Sequence, residues 1–191
     1  MARKIDDGGN NPRPPNNDQL LWLETYFIIF PQRRRPTLAQ VEHALAEAGP
    51  RLKLENLAAD DDGLFESLLV ESPEDHAAVE ISYEIGDAVI EQNLDWAKQF
   101  KDQLSPKQLQ QFVAADARLD VAHFERLQAG SVGQQPKNSP PAFLDDEFVD
   151  DDFDEEAAME IFDPTCLLTV VEALSMLTKG LTVDPASGEV M

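Results

Sequence analysis

The feature that most limits the fold is a stretch of eleven residues, 20–30, that is almost continuously apolar and is followed by Pro31. Its last five residues, from Tyr26 to Phe30, are aromatic or β-branched, which favours a strand. A strand that is apolar on both faces needs cover on both faces, so we expect a central strand of a sheet. Trp22 lies inside this stretch and is predicted to belong to the core.

Regular patterns after Pro31 predict most of the remaining elements. Thr37 and Gln40 have the spacing of a capping box, in which each side chain satisfies the other residue's backbone N–H, and they start a helix that Gly49-Pro50 ends. Apolar alternation predicts two strands, 64–70 and 77–85, that form an antiparallel hairpin. Helices are predicted over 87–104, over 105–129 and from Pro164 to Lys179, and a terminal hairpin closes the chain.

The domain organisation follows from these patterns. Residues 1–17 are expected to be a disordered lead, 18–129 an α+β body with two added helices, 130–160 a proline-containing linker with an acidic tract, and 161–191 a helix and hairpin that pack back on the body. The last segment is too small to fold alone.

The predicted fold class is α+β, an antiparallel sheet with helices packed mainly on one face. One topology that fits is a ferredoxin-like β-α-β-β-α-β order. In that arrangement, residues 87–160 are a helical and disordered insertion.

The net charge of the chain limits which classes of molecule it is expected to bind. The chain has 37 acidic and 15 basic residues, a formal net charge of -22, which repels nucleic acid phosphates and anionic membranes and favours a basic protein as partner. A single cysteine, Cys166, excludes an internal disulfide and fits a reducing compartment. Residues 1–18 lack the apolar run of a secretory signal, and no stretch is long enough for a membrane span. We therefore expect a soluble cytoplasmic protein.

The acidic tract, residues 143–163, holds eleven acidic residues and no basic one. One interpretation is a solvated linker extended by self-repulsion. A second is a recognition segment, whose carboxylates attract a basic, grooved partner while its apolar side chains supply affinity; these are Phe143, Leu144, Phe148 and Phe153. A third is calcium binding at 150–154, where the glycine turn and distal glutamate of an EF-hand loop are missing.

The arginine loop, Arg33–Arg35, is the densest basic cluster and precedes a predicted helix start, where the helix dipole disfavours cations. The three arginines could extend into water, could dock the chain's own acidic tract or a partner, or could bind a phosphate-type anion. No glycine-rich loop accompanies them, so a nucleotide site has no support.

No residue pattern predicts catalysis, a cofactor or a metal. His43, His76 and His123 lack further ligands at zinc spacing and are expected to be surface or packing residues. Cys166 is expected to be buried, and Trp96 to pack. No serine lies in a Gly-x-Ser-x-Gly context, and carboxylate pairs carry no information in so acidic a chain.

Three functions therefore stay open. The first is a non-enzymatic binding or regulatory module whose acidic, aromatic segment contacts a basic partner or its own arginine loop. The second is a small enzyme with a site assembled from scattered residues. The third is a homo-oligomeric structural module joined through a sheet edge or a helical pair.

Overall fold

The computed structural model describes residues 19–127 and 164–191. They form an antiparallel sheet of seven strands with four helices, so the α+β fold class is confirmed. In chain order the elements are β1 (Gln19–Phe30), α1 (Leu38–Ala48), β2 (Lys53–Ala59), β3 (Phe65–Ser72), β4 (Ala77–Ile85), α2 (Asp87–Gln99), α3 (Pro106–Ala114), β5 (Ala117–Leu127), α4 (Thr165–Thr178), β6 (Leu181–Asp184) and β7 (Glu189–Val190).

Two long strands, β1 and β5, lie side by side in the middle of the sheet. The order of strands across the sheet is β2-β3-β4-β5-β1-β6-β7. β1 pairs with β5 from Gln19 opposite Leu127 to Phe30 opposite Ala117, with one bulge between Trp22 and Glu24. On its other side β1 pairs with β6 only at residues 27–29. The carboxyl-terminal part of β1 is therefore a central strand, as predicted, whereas its amino-terminal part has a described neighbour on one side only.

Alternate residues of β1 enter two separate cores. Ile28 and Phe30 pack with α1 and α4 on one face of the sheet. Ile29 packs with α2 and α3 on the other face. Burial of each such side chain contributes about 1.5–3 kcal/mol. The helices are thus divided evenly, two on each face, rather than lying mainly on one, because a strand that is apolar on both faces requires cover on both.

The predicted helix over 105–129 is corrected by the structure. It ends at Ala114, and the chain continues as β5. Ala117, Leu119 and Val121 are buried at the two-residue spacing of a strand. Ala117, Val121 and Phe124 also fit the spacing of a helix, which is why the sequence pattern was ambiguous. Pairing with both β1 and β4 decides in favour of the strand.

The position of β5 also bears on the topology. It lies between β1 and β4, strands that a ferredoxin-like sheet would place side by side, so that topology is not confirmed. Because β5 is central, residues 87–127 are not an insertion. β2, an edge strand that the sequence did not predict, is largely exposed and contains Asn56 in a left-handed conformation (φ 52°).

Two predicted helix starts are confirmed as capping boxes. Thr37 Oγ1 accepts a hydrogen bond from Gln40 N at 3.3 Å, and Gln40 Oε1 accepts one from Thr37 N at 2.9 Å. Ser105 and Gln108 make the equivalent pair at the start of α3. Each cap contributes about 1 kcal/mol. The hairpins β3–β4 and β6–β7 are also confirmed.

The end of α4 explains why glycine occupies position 180. Lys179 takes the left-handed conformation (φ 52°) that ends the helix. A Cβ on Gly180 would lie 2.7 Å from Ile28 Cγ2 and 2.8 Å from the Ile29 carbonyl oxygen. The close approach to β1 therefore excludes a side chain there.

Leu119 and Val113 distinguish the observed strand from the predicted helix. The predicted helix would bury an apolar stripe made of Leu109, Phe112, Val113, Ala117, Val121, Phe124 and Leu127. Leu119 lies outside this stripe but is fully buried on β5, whereas Val113 belongs to the stripe and is 63% exposed. We expect Leu119→Ala to lower the free energy of unfolding by about 2–5 kcal/mol, and Val113→Ala to change it by less than about 0.5 kcal/mol. Urea denaturation measures both. Equal effects would contradict the position of β5.

Candidate functional site

The three residues of the arginine loop have different surroundings. Arg35 is half-buried and belongs to the fold: its Nη1 donates to Asp60 Oδ2 at 2.9 Å, and its Nε donates to the Phe65 carbonyl oxygen at 2.9 Å. Its guanidinium also lies over the Tyr83 ring, 4.1 Å from the centroid. Together these contacts tie the loop to the β2–β3 turn and to β4, so Arg35 is a structural residue.

Arg34 and Arg33 are both exposed. Arg34 Nη1 donates to the Lys179 carbonyl oxygen at 3.1 Å, which places a cation at the carboxyl-terminal end of α4, where the helix dipole favours it. Arg33 has no hydrogen-bond or ion-pair partner among the residues that the structure describes. It borders a surface cleft of about 450 Å³ that also includes Gln32 and Asp116. Of the three residues in the arginine loop, Arg33 is therefore the most accessible to an external group.

The other predicted interaction residues lie outside the described part of the chain. These are Phe143, Leu144, Phe148 and Phe153, together with the rest of the acidic tract. Their role stays a prediction.

A surface that the sequence did not predict lies at the amino-terminal end of β1. Leu20, Leu21 and Trp22 are 45%, 48% and 59% exposed. The prediction that Trp22 belongs to the core is wrong, because neither β6 nor any described helix reaches this end of β1 to cover it. Trp22 Nε1 donates to Thr25 Oγ1 at 3.1 Å, so the exposed indole has a polar partner. Leu20 and Trp22 share one face of the sheet and Leu21 lies on the other. Neighbouring exposed apolar side chains such as Leu20 and Trp22 are typical of a contact surface.

A half-buried polar cluster lies between α2 and β5. Arg118 forms an ion pair with Asp120, with 2.6 Å between Nε and Oδ1, and it also donates to Gln92. Its guanidinium carbon lies 4.7 Å from the centroid of the Phe27 ring and 6.0 Å from that of Trp96. Trp96 is buried, as expected. Since every charged group here has a partner, the cluster serves to attach α2 to the sheet.

The described residues give no support for a metal site. His43 is exposed on α1, 3.5 Å from Glu47, and His76 lies at the β3–β4 turn with a φ of 50°. His123 is buried on β5, as a packing residue. No group of three or more potential ligands occurs in residues 19–127 and 164–191. Cys166 is buried, as predicted.

Within the same two ranges, the helices are all too short or too polar to cross a membrane.

Arg35 is expected to stabilise the fold through the geometry of its guanidinium. Lysine has the same charge but cannot donate to several acceptors in one plane. We expect Arg35→Lys to lower the free energy of unfolding by about 1–3 kcal/mol. Arg33→Lys, the matched control, should change it by less than about 0.5 kcal/mol. Urea denaturation measures both, and an unchanged stability of Arg35→Lys would contradict a structural role.

Asp120 is expected to make stability depend on pH. Burial raises the pKa of its carboxyl above the ordinary value of 3.8, and Arg118 offsets part of that rise. Because the native pKa exceeds the unfolded one, the free energy of unfolding falls as pH rises from the ordinary value through the raised value. Asp120→Asn removes this titration. The free energy of unfolding of the variant should therefore increase relative to that of the wild type as pH rises from the ordinary pKa through the raised one.

Urea denaturation of both proteins between about pH 3 and pH 7 gives the difference between their free energies of unfolding. Contributions from the titratable groups that both proteins share cancel in this difference. A difference that does not change with pH would contradict the raised pKa.

Comparison with known proteins does not assign the chain to a family. It matches no family model, no curated protein and no solved structure. The surfaces described above are therefore the basis for an inference about function.

Proposed function

We propose that the protein is a non-enzymatic binding or regulatory module of the cytoplasm whose acidic tract contacts a basic protein partner. The observation that carries the proposal is the concentration of charge in residues 143–163, which hold half of the net charge of -22. The carboxylates would attract the partner over long range. The interleaved apolar side chains would supply the affinity; these are Phe143, Leu144, Phe148 and Phe153.

The contacts of the arginine loop favour an external partner over the chain's own loop. Arg35 is paired with Asp60, and Arg34 donates to Lys179. Only Arg33 of the three has its charged group without a described partner. Docking of the acidic tract on the loop would therefore compete with contacts that hold the fold together.

The cleft beside Arg33 gives no support to the alternative of a small enzyme. The cleft beside Arg33 is lined by Pro31, Gln32, Arg35, Leu64 and Asp116. Among these described residues there is no serine, cysteine or histidine to act as a nucleophile or as a base near neutral pH.

The cytoplasmic location rests on cysteine chemistry. The single thiol, Cys166, is buried in the first turn of α4. A chain without a disulfide suits a reducing compartment.

The test removes the apolar anchors while it keeps every charge of the tract. We expect Phe148→Ala/Phe153→Ala to weaken the binding of a basic partner by about 30-fold or more, because aromatic anchors at an interface contribute about 2 kcal/mol or more. The partner is recovered from extract with the full chain and identified by mass spectrometry. Its affinity for each variant is then measured by calorimetry with the purified protein.

Deletion of 143–156 separates the alternatives. If amide exchange around Arg33–Arg35 increases on deletion, the tract docks on its own loop. Arg33→Gln should then reproduce the increase, whereas the control Lys101→Gln, at an exposed cation that follows α2 and lies outside the loop, should not. If neither partner recovery nor exchange changes, the tract is a spacer and the proposal is wrong.

A further inference from the structure

The amino-terminal half of β1 presents backbone hydrogen-bonding groups on the side away from β5. Arg126, which lies opposite Leu20, donates its N–H to the His76 carbonyl oxygen at 2.7 Å, on the β4 side. Leu20 and Arg126 therefore form a pair without mutual hydrogen bonds. Trp22 lies opposite Phe124 and Thr25 lies opposite Ala122, which are two and four residues before Arg126. The backbone N–H and C=O groups of Leu20, Trp22 and Thr25 therefore all point away from β5.

The pairing of β6 agrees with this direction. Thr182 exchanges hydrogen bonds with Met191, so it is the neighbouring residue Val183 that faces β1, opposite Phe27. Phe27 thus directs its backbone groups to the β6 side, as Thr25 does two residues earlier. Among the described strands, none occupies that side of residues 19–26, which we call the open edge.

The open edge is apolar on one face of the sheet. Leu20 and Trp22 lie on the face that α2 and α3 cover further along, and Phe124 lies opposite Trp22 on the same face. Trp22 is 59% exposed. A strand added here could bury apolar side chains against it.

The other face of the open edge carries the exposed Leu21 near its start and is acidic at its carboxyl-terminal end. Tyr26 lies on the face that α1 and α4 cover, beside the β6–β7 hairpin, where Asp184 pairs with Glu189. Burial raises the pKa of the Tyr26 hydroxyl, and the negative charges of Asp184, Glu24 and Glu189 raise it further. Three carboxylates thus surround this end of the open edge.

We infer that the open edge, residues 19–26, binds an extended segment of a partner by β-strand addition, and that this segment alternates basic with apolar residues. Its backbone would pair with the groups of Leu20, Trp22 and Thr25. Its basic side chains would lie on the face of Tyr26 and its apolar side chains on the face of Trp22. The inference rests on the proposed function only in taking the partner to be basic, and it uses a different part of the chain.

Charge argues against a second copy as the occupant. Each chain carries a formal charge of -22, and pairing of two open edges would bring both sets of carboxylates together. The bulge between Trp22 and Glu24 also interrupts the regular edge that self-pairing needs.

The test uses the full chain and a ten-residue peptide that alternates lysine with valine. Its control has the same composition but groups the lysines at one end, so that it cannot place them on one face of a strand. We expect the alternating peptide to bind at least tenfold more tightly, as measured by fluorescence anisotropy. Equal binding of the two peptides would indicate attraction by charge alone and would overturn the inference, as would no binding of either.

A matched pair of variants tests the backbone. Thr25→Pro removes an N–H that points to the open edge and leaves the β5 hydrogen bonds, whereas Thr25→Ala keeps that N–H. We expect at least a tenfold loss of affinity in Thr25→Pro and less than a threefold change in Thr25→Ala, with thermal unfolding of each as a check on folding. In the wild-type complex, amide exchange should slow at Leu20, Trp22 and Thr25. Unchanged exchange at all three would overturn the inference.

Two further results separate this inference from the proposed function. If deletion of 143–156 abolishes peptide binding while Thr25→Pro does not, the acidic tract binds and the open edge does not. The reverse result supports strand addition, and the Phe148→Ala/Phe153→Ala variant then tests the role of the tract separately. Sedimentation equilibrium provides the last test, since a dimer that Thr25→Pro dissociates would show that a second copy occupies the edge and would overturn the inference.

Discussion

The pairing of β1 with β5 is the interaction on which the rest of the structure depends. β5 joins the unit β2-β3-β4 to the unit β1-β6-β7, and it is the only described strand that pairs with both β4 and β1. Both helical layers pack on the surface that this pairing creates. The face with α1 and α4 takes Ile28 and Leu119, and the opposite face takes Ile29 and the cluster of Arg118. A loss of register between these two strands would therefore affect both cores at once.

The sequence predicted the elements whose signals are local. Thr37 with Gln40 and Ser105 with Gln108 are capping pairs three residues apart, and the hairpin β3–β4 needs only a short turn. The sequence did not predict β5, because its apolar residues fit both a strand and a helix. What decides between them is pairing with β1, about a hundred residues earlier in the chain. Pairing over such a distance leaves no local signal.

The candidate sites show the same division between local and distant causes. Arg33, Arg34 and Arg35 form one cluster in the sequence, but the structure gives them different partners. Asp60 binds Arg35 from 25 residues away, and Lys179 accepts from Arg34 across 145 residues. Neither contact could be inferred from composition. The concentration of acidic residues in 143–163, in contrast, is a property of the sequence itself.

The open edge arises from a mismatch in strand length. β1 has twelve residues, whereas β6 has four and turns away at Asp184, so no described strand covers the first eight residues of β1 on that side. Exposed strand edges promote aggregation unless something prevents self-pairing. Here the bulge and the carboxylates of Glu24, Asp184 and Glu189 oppose pairing with another copy of the same acidic chain. The same carboxylates do not oppose a basic strand. The features that protect this edge from self-association therefore also determine the charge of the partner that it can accept.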